Sequence, residues 1–448
     1  MEVQFDTKIL LTVVVIVFLG VLVRLYNGLV VKPKRLRSIL KKQGINGPPP
    51  TFLLGNIREI KKVQSSAVKA HSSNDPPLIH NCAALFFHFL SYGGRNMGIL
   101  TSNGAFWSHQ RRILAPELYM EKVKGMVNLI TESTITLINS WKSMIETDGG
   151  IADIKIDEDL RNFSADVISR ACFGSNYSRG EKIFQKLRNL QNAMSKKVLA
   201  TGIPGMRYLP TKSNREVWAL EKDIRYLILE VVKERQEGAY EKDLLQMILE
   251  SAKTSNLNRE ATDQFIVDNA KNIYLAGFET TAVSATWCLM LLAVNQEWQD
   301  RIRAEVLEIC GGGMPDSDMI RKMKLLNMVI QETLRLYSPV PVVSREAFKN
   351  MKFGNINVPK GVNIWTMVLP LHTHPEIWGS DSYKFNPERF ANGIAGACKY
   401  PFLYMPFGVG PRVCLGQNLA MVELKILIAL LLSNFSFSIS PKYIHSLL

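Results

Sequence analysis

One cysteine in a glycine-rich loop near the end of the chain restricts the fold and the chemistry more than any other feature. Glycines allow positive φ and let the backbone approach a flat ligand closely. The start of the next helix directs N–H groups and a positive dipole end at the loop, which favours a thiolate. Such a thiolate is a good axial ligand for haem iron, whereas the simpler interpretation is a buried cysteine in a turn. The stretch reads Phe407-Gly408-Val409-Gly410-Pro411-Arg412-Val413-Cys414-Leu415-Gly416, before an apolar, helix-like segment over 419–432.

The same ten residues resemble the signature of the cytochrome P450 family, Phe-Gly-x-Gly-x-Arg-x-Cys-x-Gly. The six specified positions all match, at Phe407, Gly408, Gly410, Arg412, Cys414 and Gly416. The resemblance implies that Cys414 is the metal ligand and that Phe407, Gly408 and Arg412 belong to the cofactor site. The implied cofactor is haem b. The implied fold is mainly α with a small β-rich region, the cytochrome P450 fold, behind an N-terminal transmembrane anchor.

The amino-terminal segment is the candidate anchor. Residues 9–23 carry no charge, but alone they are short for a membrane span, which needs about 20 residues. A tilted helix could continue to Val31 because Arg24 can extend its charge to the interface. No small-x-small cleavage site follows, which argues against a signal peptide, and a buried core helix is the remaining interpretation. The cations behind the segment predict a single span with the rest of the chain in the cytosol.

We therefore divide the chain into an anchor (1–31), a basic and proline-rich hinge (32–55) and a haem-thiolate catalytic domain (56–448). The prolines Pro48 to Pro50 stiffen the hinge into an extended spacer. Segment 65–97 and the tail after Cys414 are shorter than in the family that the chain resembles, which indicates an internal deletion or splice product and an early end. Alternating residues near 356–358 and 362–368 predict short strands.

Composition argues against several classes of protein. The six cysteines form no C-x-x-C pair and have no regular spacing, which favours reduced thiols over a disulfide framework. The net charge of +14 fits an anionic membrane surface or an acidic protein partner. No zinc-finger spacing occurs, so we expect no nucleic-acid binding. His372 and His374 lack the other ligands of a metal site.

A long helix is predicted over 263–295, with Ala276-Gly277-Phe278-Glu279-Thr280-Thr281 at its centre. An acid and a hydroxyl in mid-helix are costly to bury without a use. Ala276 and Gly277 leave room for a flat ligand, and the Thr280 hydroxyl can bond back to the preceding turn. An ordinary buried helix is the alternative. The motif is similar to the family's oxygen-binding helix, which implies that Glu279 and Thr280 are catalytic and manage protons.

Other residues join the site through the resemblance. Trp107 and Arg111 share a helix face at i and i+4 and can both donate to a carboxylate. The family holds a haem propionate with such a pair, and Arg345 and Arg412 are implied to do the same. From these residues alone, a core tryptophan beside a surface arginine is the simpler interpretation.

Glu332 and Arg335 share a helix face at i and i+3. A surface pair of this kind contributes only about 0.3–0.5 kcal/mol, and most such pairs are no more than that. In the family, the pair and a later arginine, here Arg389, form a network that braces the cysteine loop.

The resemblance implies a monooxygenase that inserts one oxygen atom from O2 into a C–H or C=C bond of a hydrophobic small molecule. No Gly-x-Gly-x-x-Gly follows a strand, so the electrons of NADPH are expected through a separate flavoprotein, the NADPH–cytochrome P450 reductase. Stretches 35–44, 279–292 and 399–406 are most similar to plant microsomal members that oxidise terpenoids such as gibberellins. That similarity implies the endoplasmic reticulum membrane.

Two other functions stay open. The shortened chain could be a catalytically impaired, haem-binding membrane isoform that only competes for the reductase. An isomerase or dehydratase on the same fold would need no O2, but such members tend to lose the alcohol that Thr280 supplies.

Overall fold

The computed structural model of the chain describes residues 2–47, 97–174, 177–195, 208–237, 243–255 and 257–443. The prolines of the predicted hinge and the shortened segment 65–97, except for its last residue, lie outside the described residues. The chain forms two compact units. Of the described residues, the smaller unit contains 2–47, 208–211 and 343–366, and the larger unit contains the others.

The larger unit is helical. Its longer helices are α3 (Gly104–Leu114), α5 (Val127–Thr147), α6 (Ile156–Phe173), α7 (Tyr177–Ser195), α8 (Lys212–Glu237), α9 (Leu244–Thr254), α10 (Arg259–Val294), α11 (Gln296–Cys310), α13 (Lys324–Leu336) and α17 (Gln417–Asn434). Shorter helices are α4 (Met120–Lys124), α12 (Ser317–Lys322), α14 (Val368–Thr373), α15 (Pro375–Trp378) and α16 (Gly393–Ala397). Short 3-10 turns cover Ala115–Leu118, Pro387–Phe390, Pro401–Leu403 and Gly410–Arg412.

Helices α10 and α17 occupy the centre of the larger unit. Helix α10 begins at Asn258, whose side chain accepts a hydrogen bond of 2.9 Å from the Ala261 N–H and so caps the first turn. Helix α17 is buried over most of its length, as expected for a helix that is apolar on every face. The predicted helices over 263–295 and 419–432 are therefore confirmed.

The smaller unit joins the amino-terminal helices to a small β region. Helix α1 (Glu2–Tyr26) leads through a π-helical turn, Asn27–Val31, into α2 (Lys32–Lys41). The strands are β1 (Val342–Glu346), β2 (Met351–Phe353), β3 (Ile356–Val358) and β4 (Asn363–Met367), in two two-stranded sheets of order β1-β4 and β2-β3. Both predicted strand regions are confirmed, as is the mainly α fold with a small β-rich region. The basic part of the expected hinge, 32–41, is helical.

Three helices in the described part of the chain are long and apolar enough to cross a membrane. The most apolar windows of α10 and α17 are 44% and 61% buried inside the protein, so these two are core helices. The amino-terminal window has no buried residue. An apolar helix without protein around it requires another apolar environment, so α1 is the candidate anchor.

Candidate active site

The cysteine loop turns back on itself before α17. Gly408 and Gly410 have φ of 72° and 75°, a region that side chains rarely adopt. The Cys414 N–H then donates to the Phe407 carbonyl at 2.9 Å, and the Val413 N–H donates to the Gly410 carbonyl at 3.0 Å. These bonds fix Cys414 three residues before the first turn of α17.

Trp107 and Arg111 of α3 lie against this loop, and Arg412 reaches back from the loop towards them. The Arg111 Nη1 donates to the Val413 carbonyl at 2.9 Å. The Arg412 guanidinium lies over the Trp107 ring, 4.3 Å from its centroid, and donates to the Ser102 carbonyl at 2.6 Å. The loop is thus attached to α3 by two arginines, one from each side of the contact.

Cys414 opens into a cavity of about 380 Å³. Its side chain is exposed there. Crowding by protein atoms nevertheless raises the pKa of the Cys414 thiol, while the Gly416 N–H and the Arg111 guanidinium lower it. A coordinated metal would remove this proton, because a metal-bound thiol is deprotonated. The lining includes Trp107, Arg111, Arg112, Val413, Leu415 and Asn418.

Three of the predicted cofactor residues are not among those that line the Cys414 cavity. Phe407 and Gly408 line a second cavity of about 320 Å³, together with Tyr404, Met421 and Lys425. Arg345 lies on β1 in the smaller unit, where its Nη1 donates to the Ser344 carbonyl at 2.9 Å. Partial burial lowers the pKa of Arg345.

The buried ion pair of Glu332 and Arg335 supports the segment that leads into the cysteine loop. Both side chains of Glu332 and Arg335 are fully buried and share two bonds of 2.7 Å. Arg335 also donates to the carbonyls of His372 and Ser382, at 2.8 and 2.5 Å. Arg389 Nε lies 3.9 Å from Glu332. The pair is therefore a core network rather than a surface pair.

His372 connects this network to the cysteine loop. Its Nδ1 faces the Arg335 carbonyl at 3.2 Å, and its Nε2 accepts a bond of 2.9 Å from the Met405 N–H. The Met405 carbonyl accepts from the Gly408 N–H at 2.9 Å. Burial lowers the pKa of His372 to about 4, so the ring is neutral and structural. No cluster of metal-ligating side chains occurs among the described residues.

The centre of α10 differs in part from the expectation. The Thr280 hydroxyl donates to the Ala276 carbonyl at 2.7 Å, as predicted. The prediction that Gly277 leaves room for a flat ligand is wrong: a Cβ at this position would lie 2.4 Å from Ile168 Cδ1 of α6. Gly277 is small because two helices touch there.

Glu279 also faces α6. Its Oε1 lies 3.4 Å from Arg161 Nε, and Arg161 Nη1 donates to Asp157 at 2.8 Å. Burial lowers the pKa of the Arg161 guanidinium, but the two carboxylates outweigh burial and the net pKa is raised. Glu279 is therefore held by a guanidinium that stays charged.

Sequence reasoning missed a buried acid, Glu423, which links α17 to α6 and α10. Its Oε1 lies 2.7 Å from Ser164 Oγ, which also lies 3.5 Å from the Gly277 carbonyl. Burial raises the pKa of Glu423 to about 8, although the bond to Ser164 lowers it. A signal existed, because Glu423 is the single acid of the mostly apolar helix α17.

Comparison with known proteins decides the family. The profile of the family described as "Cytochrome P450" matches residues 79–444. The chain belongs to the cytochrome P450 family. P450 enzymes are monooxygenases that use haem b and receive the electrons of NADPH through a reductase, so this chain has the P450 fold and that cofactor requirement.

Two similar P450 proteins come from plants. Cytochrome P450 714C2 of Oryza sativa subsp. japonica is 48% identical over 475 positions, which cover 94% of this chain and 91% of that protein. Cytochrome P450 714A2 of Arabidopsis thaliana is 42% identical over 495 positions, which cover 97% of this chain and 94% of that protein. Both alignments are longer than the 448 residues of this chain, so each relative carries residues that this P450 lacks.

The donor set around Cys414 fits haem b. A thiol opens into a cavity, and two guanidiniums, Arg111 and Arg112, line that cavity, where carboxylates would find partners. The membrane association of plant P450 enzymes agrees with the exposed apolar helix α1.

Proposed function

We propose that this P450 oxidises a plant terpenoid of the gibberellin class, with Cys414 as the axial ligand of haem b. The observation that supports the site most directly is the accessible Cys414 thiol in an arginine-lined cavity. The substrate class is supported by the similarity of stretches 35–44, 279–292 and 399–406 to gibberellin-oxidising plant enzymes. The plant origin of the named relatives agrees with it.

Bound haem would supply the activation of O2, and the residues of this chain would position the haem. Trp107 and Arg111 lie on the cavity wall, and Arg412 is stacked on Trp107, so these side chains would hold the propionates. Phe407 and Gly408 would shape the loop behind Cys414. Arg345 is proposed to hold a propionate as well, as the family resemblance implies.

Thr280 and Glu279 would manage protons. The Thr280 hydroxyl already donates its hydrogen to the Ala276 carbonyl, so its oxygen meets any incoming proton donor as an acceptor. Glu279 is held in an ion pair with Arg161 of α6, so its side chain would reach the site only after this ion pair opens.

Turnover of a gibberellin by the full-length chain tests the function. Membranes that contain the chain and a plant P450 reductase are supplied with NADPH, gibberellin and isotopically labelled O2. We expect a product that carries one labelled oxygen atom, with no product when NADPH is left out. A normal carbon monoxide spectrum with no oxidation of any gibberellin would contradict the proposal and favour the impaired isoform that only competes for the reductase.

Removal of the Thr280 hydroxyl should uncouple the reaction. Product formation by Thr280→Ala should fall by roughly 100-fold, while NADPH consumption continues and peroxide per NADPH rises. The matched control is Thr286→Ala, because Thr286 lies on the same helix, is half-buried and also bonds the carbonyl four residues earlier, at 2.9 Å. If both variants form the same amount of peroxide per NADPH, Thr280 has no specific role in proton transfer.

We further propose that the chain lies in the endoplasmic reticulum membrane with its catalytic domain in the cytosol. The six cations of α2 and its C-cap, from Lys32 to Lys42, support this orientation. Protease added to intact microsomes should degrade the domain, and protection until detergent is added would reverse the orientation.

A further inference from the structure

We propose that the cavity lined by Phe407 and Gly408 is a second binding site, which takes a small amphipathic carboxylic acid that also carries a hydroxyl group. We call it the accessory cavity. Its volume is about 320 Å³, within the range of small-molecule sites. Its lining shares only Gln417 and Asn418 with the Cys414 cavity, and all of it belongs to the larger unit.

The wall of the accessory cavity is mostly apolar and comes from several helices. Helix α17 supplies Met421 and Lys425, which share a face because they are four residues apart. Helix α13 supplies Gln331 and Leu334 in the same way, at a spacing of three. The flexible thioether of a methionine adapts to ligands of different shape. The apolar part of the wall includes Met120, Val127, Ile320, Leu334, Ile394 and Met421.

The charge of the accessory cavity selects an anion. Three cations, Lys124, Arg321 and Lys425, line it, whereas its described lining contains no aspartate or glutamate. Lys124 and Arg321 pair with exposed acids outside the lining, at 3.1 and 3.7 Å, and exposed pairs of this kind contribute little. These two cations can therefore turn to a ligand.

Lys425 gives the strongest indication, because its ammonium is half-buried without a carboxylate beside it. Among the described residues, its Nζ donates to the Ile320 carbonyl at 3.3 Å and forms no ion pair. Burial lowers the pKa of Lys425, although Glu305 raises it from farther away. A carboxylate bound in the cavity would supply the missing counter-charge through a charge-assisted hydrogen bond.

Gln331 adds an acceptor that needs a donor. Its Oε1 is buried and has no hydrogen-bond partner among the described residues, whereas its backbone carbonyl accepts from the Tyr404 hydroxyl at 2.9 Å. A buried acceptor without a donor is costly. A ligand hydroxyl would satisfy Oε1, so a hydroxylated acid fits this cavity better than a plain fatty acid.

A ligand in the accessory cavity would contact the cysteine loop directly. Phe407 and Gly408 form part of the wall. The Phe407 carbonyl accepts the Cys414 N–H at 2.9 Å, and the Gly408 N–H donates to the Met405 carbonyl at 2.9 Å. A bound acid would therefore lie against the residue whose carbonyl holds the backbone of Cys414.

Photolabelling of the haem-loaded, full-length chain tests the accessory cavity. The probe is decanoic acid with a diazirine near its methyl end, and the protein is reconstituted into nanodiscs of zwitterionic phosphatidylcholine. Mass spectrometry locates the adducts, which should form on lining side chains such as Met120 and Met421. The labelling reports binding alone, so its result does not depend on whether the chain oxidises a gibberellin.

Lys425→Met removes the buried charge and keeps an apolar side chain. The matched control is Lys322→Met, because Lys322 is an exposed cation next to Arg321 that does not line the cavity. Labelling of the lining should fall about tenfold in Lys425→Met and stay at the parent level in Lys322→Met. Equal labelling of these two variants would overturn the proposal, as would adducts confined to other parts of the chain.

Met421→Trp fills the accessory cavity and leaves Lys425 in place, so labelling of the lining should fall here too. This variant keeps the test decisive if Lys425→Met does not fold. A carbon monoxide spectrum equal to that of the parent shows that a variant is folded and loaded with haem. Undiminished labelling of a folded Met421→Trp would contradict the assigned location.

Competition against the probe identifies the source of the ligand. A hydroxylated decanoic acid represents oxidised fatty acids from the membrane, and a hydroxylated gibberellin represents free terpenoid acids. At least one of them should displace the probe from the lining at a concentration several times lower than decanoic acid does. The better competitor identifies the source. Equal displacement by decanoic acid would contradict the role of Gln331, and failure of both competitors would overturn the proposal.

Discussion

Replacing Cys414 with serine should abolish the thiolate-type carbon monoxide spectrum and all oxygenation. A serine hydroxyl cannot supply the electron-rich sulfur ligand that distinguishes P450 chemistry. The substitution removes one atom type and keeps the loop bonds, because the Cys414 N–H to Phe407 bond involves only backbone. The measurement is the difference spectrum of reduced membranes with carbon monoxide, alongside gibberellin turnover.

Cys398→Ser is the matched control for this experiment. Cys398 is also a free cysteine of the larger unit, but it is half-buried and lies directly after α16, outside the glycine-rich loop. The control should keep the spectrum of the parent. A thiolate-type spectrum that survives in Cys414→Ser would show that another residue ligates the iron.

Arg335→Ala should destabilise the protein by about 3–5 kcal/mol, because it leaves the carboxylate of Glu332 buried without its partner. The three backbone carbonyls that Arg335 serves, those of His372, Ser382 and Lys384, would lose their donor as well. We expect a much lower urea midpoint in detergent, followed through tryptophan fluorescence, and little folded protein in cells.

Arg301→Ala is the comparison for this loss. Arg301 also forms a close ion pair, 2.6 Å from Glu388, but the two side chains are 36% and 51% exposed. An exposed pair contributes about 0–1 kcal/mol, so the urea midpoint should barely move. Similar losses in the two variants would show that the buried network does not brace the fold.

Local motifs predicted much of this site, and tertiary packing decided the rest. The cysteine loop and the Thr280 bond follow from short spacings along the chain, whereas the attachment of the loop by Arg111 and Arg412 joins residues about 300 positions apart and was not predicted. The orientation of the Glu279 side chain could not be predicted from such spacings, because it depends on Arg161, which lies on another helix. Gly277 was misinterpreted for the same reason, since a sequence shows that a residue is small but not which neighbour requires it.

The fold was predictable to a similar degree. The long apolar period of α10, the all-round apolar α17 and the alternation at β3 and β4 indicate their structures directly. The helix over 32–41 was not predicted, because this stretch was assigned to the hinge from its cations. Its one proline, Pro33, lies in the first turn, where a helix tolerates it.

The buried acid Glu423 makes folding a proton-consuming reaction. The unfolded chain releases this proton at the ordinary pKa of 4.5, whereas the folded chain holds it until about pH 8. Protonated Glu423 therefore favours the folded state most below pH 4.5, and this contribution to the free energy of unfolding declines as the pH rises from 4.5 to about 8. Each pKa unit of difference corresponds to about 1.4 kcal/mol of linkage. At neutral pH the protein thus lies near the alkaline end of the range in which its core acid stays neutral, and alkalinisation acts on the contact between α17, α6 and α10.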